Sequence, residues 1–214
     1  MDFAPVIFDL DGTLVDSGSD IANAVNHVIA GLGLEKIPER ELFGQIGDGV
    51  RRLFREIMGV TERDEVNPQI EAFRAYYLEH YLDNTVAYPG ITELLDDLDP
   101  ARVAIVTNKP GYFARMVTDG VGLTSRVGVV IGGDETDLIK PDPEPLIEAC
   151  KQLGTAPQGG IMIGDYHNDI EAGKAAGMST CGVLWGFVGP EAVTAAGPDH
   201  LCRNAEELRT LLLG

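Results

Sequence analysis

Cysteine is scarce in this chain. Only Cys150, Cys181 and Cys202 occur in 214 residues, odd in number, widely separated and never as a Cys-x-x-Cys pair. That excludes a disulfide scaffold and a cysteine-based zinc site, and makes a reducing cytoplasm the expected compartment. Basic residues are also in deficit: 16 Lys+Arg against 34 Asp+Glu leave a formal net charge of −18. A polyanionic partner needs a basic footprint, so no nucleic acid is expected as a general partner. Long apolar runs are missing as well. The uncharged stretch between Lys174 and Glu191 is 16 residues long and broken by Gly177, Gly182, Gly186 and Gly189, short of the roughly 20 residues a membrane helix requires. Met1 to Leu10 has no basic region before Asp9, which argues against a signal peptide, and no membrane partner is expected.

What is present reads as a globular chain, with 44% hydrophobic and 23% charged residues, enough for a large core without covalent staples. Short apolar or β-branched runs at Pro5 to Phe8, Arg102 to Val106, Val127 to Ile131, Gly160 to Ile163 and Thr180 to Leu184 predict buried strands. Between the later runs lie segments of helical length, Gly111 to Thr118, Pro143 to Leu153 and Asn168 to Ala176. Such alternation predicts an α/β fold with a Rossmann-like parallel sheet. The rhythm breaks between Asp16 and Tyr88, where no strand run is found. There Ile21, Val25, Val28, Ile29 and Leu32 share one helical face, as do Val50, Leu53, Phe54 and Ile57, and then Ile70, Phe73, Tyr77 and Tyr81,. A small all-helical domain, residues 16–87, is expected as an insert in an α/β core of residues 1–15 and 88–214. The other arrangement that the pattern allows is a single domain with these helices packed on the sheet.

The first strand ends in Asp9-Leu10-Asp11-Gly12-Thr13, which sets two carboxylates where a doubly wound sheet presents its ligands. Neighbouring acids repel, and the usual remedies are a bound cation or a retained proton. Gly12 permits close backbone approach, and Thr13 adds a hydroxyl and an amide to the turn. An EF-hand is excluded, because Thr13 and Leu14 stand where its loop needs an acid or amide and a glycine. A second acidic turn, Gly164-Asp165-Tyr166-His167-Asn168-Asp169, follows the strand Gly160 to Ile163. Carboxylates gathered at one sheet edge predict Mg²⁺, a hard cation that prefers oxygen ligands. His167 is read as a loop residue rather than a ligand. Thr107-Asn108-Lys109-Pro110 supplies a hydroxyl, an amide and an ammonium beside a helix start, a setting for phosphate oxygens. In Lys140-Pro141-Asp142-Pro143, Asp142 is expected to cap a helix with Pro143 at its first position, fixing Lys140 just before it. Dinucleotide, P-loop and Gly-x-Ser-x-Gly templates all fail. In so acidic a protein, local cations must reverse the field for an anionic substrate. Mg²⁺, Lys140 and Lys109 are the candidates.

These motifs together resemble the haloacid dehalogenase superfamily, in particular its phosphatases with a helical cap and most closely the phosphoglycolate phosphatases. The Asp-x-Asp-Gly-Thr motif stands as Asp9 to Thr13, the Thr motif as Thr107, the Lys motif as Lys140 and the Gly-Asp-x-x-x-Asp motif as Gly164 to Asp169. Ile46 to Leu53, Tyr88-Pro89-Gly90 and Gly182 to Phe187 resemble the phosphoglycolate branch. The resemblance implies that Asp9 attacks phosphorus to form an aspartyl-phosphate and that Asp11 acts as general acid, then base. It implies that Thr107 and Lys140 bind and neutralise the phosphoryl group, Mg²⁺ being held by Asp9, the Asp11 backbone carbonyl and Asp165, with Asp169 in support. Phosphate contacts fall to Gly12, Thr13 and Asn108. Gly47, Gly49 and Arg51 are the candidates for a substrate loop in the cap, Arg51 as a partner for a second anionic group. The expected partner is a small phosphorylated metabolite, with 2-phosphoglycolate the single best candidate. The alternatives are sugar phosphates, nucleotides or pyrophosphate, a β-phosphoglucomutase-like transferase, and a non-catalytic Mg²⁺- and phosphate-binding regulator. Asp11 argues against a dehalogenase. The lone insert lysine, Lys36, lies away from the Gly47 to Gly49 loop and argues against Schiff-base chemistry.

Overall fold

A computed structural model describes residues 3–214, apart from the side chains of residues 63 and 64. Met1 and Asp2, where the expected core begins, lie outside the described residues. The chain enters through β1 (Val6–Phe8), turns through Asp9 to Leu14 and forms a two-residue strand, β2 (Val15–Asp16). Four helices follow: α1 (Gly18–Gly31), α2 (Glu39–Ile46), α3 (Val50–Met58) and α4 (Asn67–His80). The return strand β3 (Val86–Ala87) pairs antiparallel with β2, Val15 opposite Ala87. The remainder alternates: α5 (Ile91–Asp96), β4 (Val103–Val106), α6 (Gly111–Gly120), β5 (Val129–Ile131), α7 (Glu144–Gln152), β6 (Ile161–Gly164), α8 (His167–Ala175), β7 (Ser179–Val183), α9 (Gly189–Ala195), β8 (His200–Cys202) and α10 (Ala205–Leu213).

The main sheet runs β5-β4-β1-β6-β7-β8, and every pairing is parallel. Its central strands are apolar at every position because both faces are covered. Val6, Phe8, Ile105, Ile163 and Val183 join one apolar cluster with α5 and α10, while Ile7, Ala104, Val106 and Met162 join another with α7 and α8. From β1 the chain builds β4 and β5 on one side, then β6, β7 and β8 on the other. The switch point at which such sheets bind ligands therefore lies beyond the carboxyl end of β1.

The helices α1–α4 gather their own apolar cluster around Val25, Leu53, Phe54 and Tyr77, with Phe113 of α6 joining it from the sheet layer. Asp20, buried at the start of α1, accepts hydrogen bonds from the backbone N–H groups of Asn84 and Thr85 and from both their side chains at 2.7–3.1 Å. That carboxylate ties the two ends of the insert together beside the β2–β3 ribbon.

The predicted strands and helices all form, with ends displaced by up to two residues. Four readings need correction. A strand does occur between Asp16 and Tyr88: β3, only two residues long with Val86 exposed, too short for an apolar run to announce it. β8 was not foreseen either, since Leu201 faces solvent in its middle. Leu32, placed on the apolar face of α1, follows that helix as its C-cap and is exposed. The helix after Lys140 opens at Glu144, one residue later than predicted, yet Asp142 Oδ1 still accepts the Glu144 N–H at 2.9 Å. Among the described residues no helix is long and apolar enough to cross a membrane.

Candidate active site

Asp9 follows β1, Thr107 follows β4 and Asp165 follows β6, three adjacent strands that open on one rim. Lys140 reaches the same point from the loop before α7. Its ammonium donates to Asp9 Oδ1 at 2.8 Å, Asp169 Oδ1 at 2.6 Å and the Val106 carbonyl at 2.7 Å, and the residue is 2% exposed. Burial opposes the Lys140 charge, but Asp169 and Asp9 outweigh it and hold the ammonium protonated above its ordinary range,.

The acids around it are under-compensated. Oxygens of Asp9, Asp165 and Asp169 lie within 4.8 Å of one another, so three buried carboxylates face a single ammonium. Burial, the largest influence, pushes Asp9 up to about 7, with Asp169 and Asp11 adding to it and Lys140 pulling against it. Burial, then Asp9 and Asp169, likewise push Asp165 well up, although the Phe187 N–H at 2.7 Å and the Thr13 hydroxyl at 3.2 Å favour its ionised form. Asp169 is fixed at the start of α8, where its Oδ2 accepts the Tyr166 N–H at 3.0 Å. An excess of buried negative charge presented by oxygen donors alone fits a hard divalent cation.

Asp11 stands apart from this group. Its carboxylate receives Ser17 Oγ at 2.5 Å and the Lys109 ammonium at 3.0 and 3.1 Å, so its side chain turns toward the cavity rather than the acid cluster. Lys109 also sits 4.7 Å from the ring centroid of Tyr77 on α4. Burial opposes its charge, and Asp11 followed by Tyr77 more than restores it. Gly12 has φ +85°, and a Cβ there would fall 2.4 Å from Asp165 Oδ2, so the turn needs glycine twice over,.

The insert meets this rim through the loop between α2 and α3. The Gly47 carbonyl accepts from Asn108 Nδ2 at 3.0 Å and Asn168 Nδ2 at 2.8 Å, and the Tyr166 hydroxyl donates to the Gly44 carbonyl at 2.6 Å. The Asn108 side chain also exchanges two 3.0 Å bonds with the Lys140 backbone. It thus clips the insert loop and the lysine loop together. Gly49 caps α3, and Arg51 Nη1 donates to Asn67 Oδ1 at 2.6 Å. His167 is exposed as the first residue of α8, outside the acid cluster. A cavity of about 640 Å³ lies between rim and insert, walled by Asp9, Thr107 and Lys140 on one side and by Gly49, Arg51 and Tyr77 on the other. Ser17, Tyr77, Tyr166 and Asn168 were not foreseen at the site. Only Ser17, six residues after Asp11, carried a local signal.

A parallel sheet with an acidic, lysine-balanced centre at its switch point, roofed by helices α1–α4, defines a doubly wound α/β protein with a candidate phosphate and cation site,. A family model described as haloacid dehalogenase-like hydrolase matches residues 6–183, and the chain belongs to that family. It is similar to a plasmid-encoded phosphoglycolate phosphatase of Cupriavidus necator, 37% identical with 97% of this chain and 92% of that protein covered. It is also similar to the N-acetylmuramic acid 6-phosphate phosphatase of Pseudomonas aeruginosa, 35% identical with 97% and 93% covered. Among solved structures, a predicted phosphoglycolate phosphatase of Haemophilus somnus superposes with a TM-score of 0.86 at 27% identity, over 99% of both chains.

Proposed function

We propose that this protein is a Mg²⁺-dependent phosphatase of small phosphate monoesters, working through an aspartyl-phosphate on Asp9, with residues 16–87 acting as a cap on the α/β core. The observation that carries this reading is the Asp9 carboxylate at the cavity floor, held by Lys140 beside Asp165 and Asp169.

A phosphoryl transition state asks for alignment and charge compensation more than for bond-making by the protein. In the first half-reaction an Asp9 oxygen attacks phosphorus in line. The ester P–O bond breaks as the leaving alkoxide takes a proton from Asp11. In the second, Asp11 accepts a proton from water as its oxygen attacks phosphorus, and the Asp9–phosphorus bond breaks to free inorganic phosphate. Lys140 neutralises charge on Asp9 and on the transferred group, and Thr107 donates its hydroxyl to a phosphoryl oxygen. Lys109 and Ser17 hold Asp11 in one orientation toward the cavity. Mg²⁺ on Asp9, the Asp11 carbonyl and Asp165, supported by Asp169, would supply the remaining compensation of phosphoryl charge. The insert excludes bulk water during both steps.

Relatives named for phosphoglycolate support 2-phosphoglycolate as the first substrate to test. A cavity of about 640 Å³ also supports a larger ester, as does the relative named for N-acetylmuramic acid 6-phosphate. Phosphate release from 2-phosphoglycolate, sugar phosphates, nucleotides and pyrophosphate with Mg²⁺ tests the reading. Asp9→Asn should lower kcat by at least about 10³-fold, the loss of a nucleophile. Full turnover by that variant would remove the aspartyl-phosphate. No release from any ester by folded, metal-loaded protein would favour the non-catalytic binding reading.

A further inference from the structure

Among the described residues, Arg55 Nε is a buried side-chain polar atom without a hydrogen-bond partner, and Arg55 lines the cavity above Asp9. Buried donors are nearly always paired, so an orphan on a cavity wall marks a group open to a ligand. The other insert arginines in that wall are engaged. Arg52 pairs with Asp48 at 2.7 Å and Glu56 at 2.9 Å, Arg74 leans on Glu71 at 3.3 Å, and Arg51 donates to Asn67. Arg55 makes no ion pair among the described residues, although the chain has more than twice as many acids as bases. A guanidinium beside a cavity with no counter-ion among the described residues is a positive charge open to a ligand.

We propose that Arg55 is a specificity-determining residue that takes a carboxylate at the far end of the substrate from its phosphate. The proposal rests on the phosphatase reading above. A planar guanidinium matches a carboxylate with two parallel N–H···O bonds and stays charged at every working pH. One unpaired guanidinium balances one negative charge, which suits a carboxylate better than a second phosphate dianion. Arg55 stands on α3 and lines the cavity. The helix begins at Val50, just after the Gly47 loop docked on the rim. A sugar-acid phosphate fits a cavity of about 640 Å³.

The test compares kcat/KM for 6-phosphogluconate and glucose 6-phosphate, nearly the same size but differing in the carboxylate, with p-nitrophenyl phosphate as a substrate lacking a second anion. Wild type should prefer the acid by about 10-fold or more, the discrimination expected when a charged hydrogen bond is gained or lost. Arg55→Met should cut that preference to under about 3-fold through KM while leaving p-nitrophenyl phosphate within about 2-fold, and Arg55→Lys should restore part of it. If Arg55→Met does not fold, Arg55→Gln serves in its place. The proposal is overturned if wild type shows no preference for the acid, if the preference survives the substitution, or if all three substrates fall in parallel. Wild type inert toward every ester would instead strike the phosphatase reading, and this proposal with it.

Discussion

Lys140 shows how the site balances its charges, because one ammonium serves two buried carboxylates and a carbonyl at once. Removing one partner of a buried ion pair leaves the other charges uncompensated and costs about 3–5 kcal/mol. Lys140→Met should therefore lose roughly that much stability in urea unfolding without divalent metal. It should also lose at least about 10²-fold in kcat, the scale for removing a donor that meets transition-state charge. Unchanged stability would mean that the buried carboxylates beside Lys140 need no counter-ion in the folded chain. Asp9, Thr107, Lys140 and Asp165 were legible in the sequence because each directly follows an apolar run or precedes a proline-marked turn. Arg55 was not. It sits in an ordinary amphipathic helix, where only the three-dimensional neighbourhood shows that no acid among the described residues meets it.

At the scale of elements, the α2–α3 loop carries the connection between insert and sheet layer. Gly47 offers its carbonyl to Asn108 and Asn168 and lies against Tyr166, where an added Cβ would come 2.7 Å from a ring carbon. An aromatic ring buttressed by its own hydroxyl bond to Gly44 cannot move aside cheaply. Gly47→Ala should lift the loop off the rim, lowering kcat/KM by about 10-fold or more while moving Tm by only a few degrees, since the apolar cluster around Phe54 and Tyr77 stays intact,. Faster amide exchange over residues 44–49 would accompany it, and wild-type exchange with wild-type kinetics would sink the prediction. The sequence marks the glycines of this loop as punctuation between helices, but not its docking on the rim. The partners lie 61 and 121 residues away in the chain, and an asparagine reads equally well as a phosphate ligand or a clip. β3 and β8 escaped notice for a related reason, being strands of two and three residues whose pairing neighbours, not their composition, make them strands.

For the whole molecule, the surplus of buried acid ties stability to pH and metal together. Asp9 titrates near its ordinary 3.8 in the unfolded chain and at about 7 when folded, and Asp165 shifts the same way. Between those values the folded protein binds more protons than the unfolded one, so stability falls as pH rises through that window. Acids shifted the other way, such as Asp199 and Glu135, lie below their ordinary values and have finished titrating by about pH 5,. The interval from pH 5 to 8 is therefore governed by the buried pair. Metal-free protein in EDTA should show a Tm lower at pH 8 than at pH 5 by a few degrees, each kcal/mol being worth about 2–4 °C in a chain of this length. A cation bound only by the folded state adds about 2.7 kcal/mol at a hundred times its Kd, and it competes with protons for the same oxygens. Saturating Mg²⁺ should thus raise Tm more at pH 8 than at pH 5, and Asp165→Asn should flatten both dependences. A Tm in EDTA that climbs across this interval, or a Mg²⁺ increment equal at both ends, would mean that these carboxylates do not hold the excess charge that makes the site a cation site.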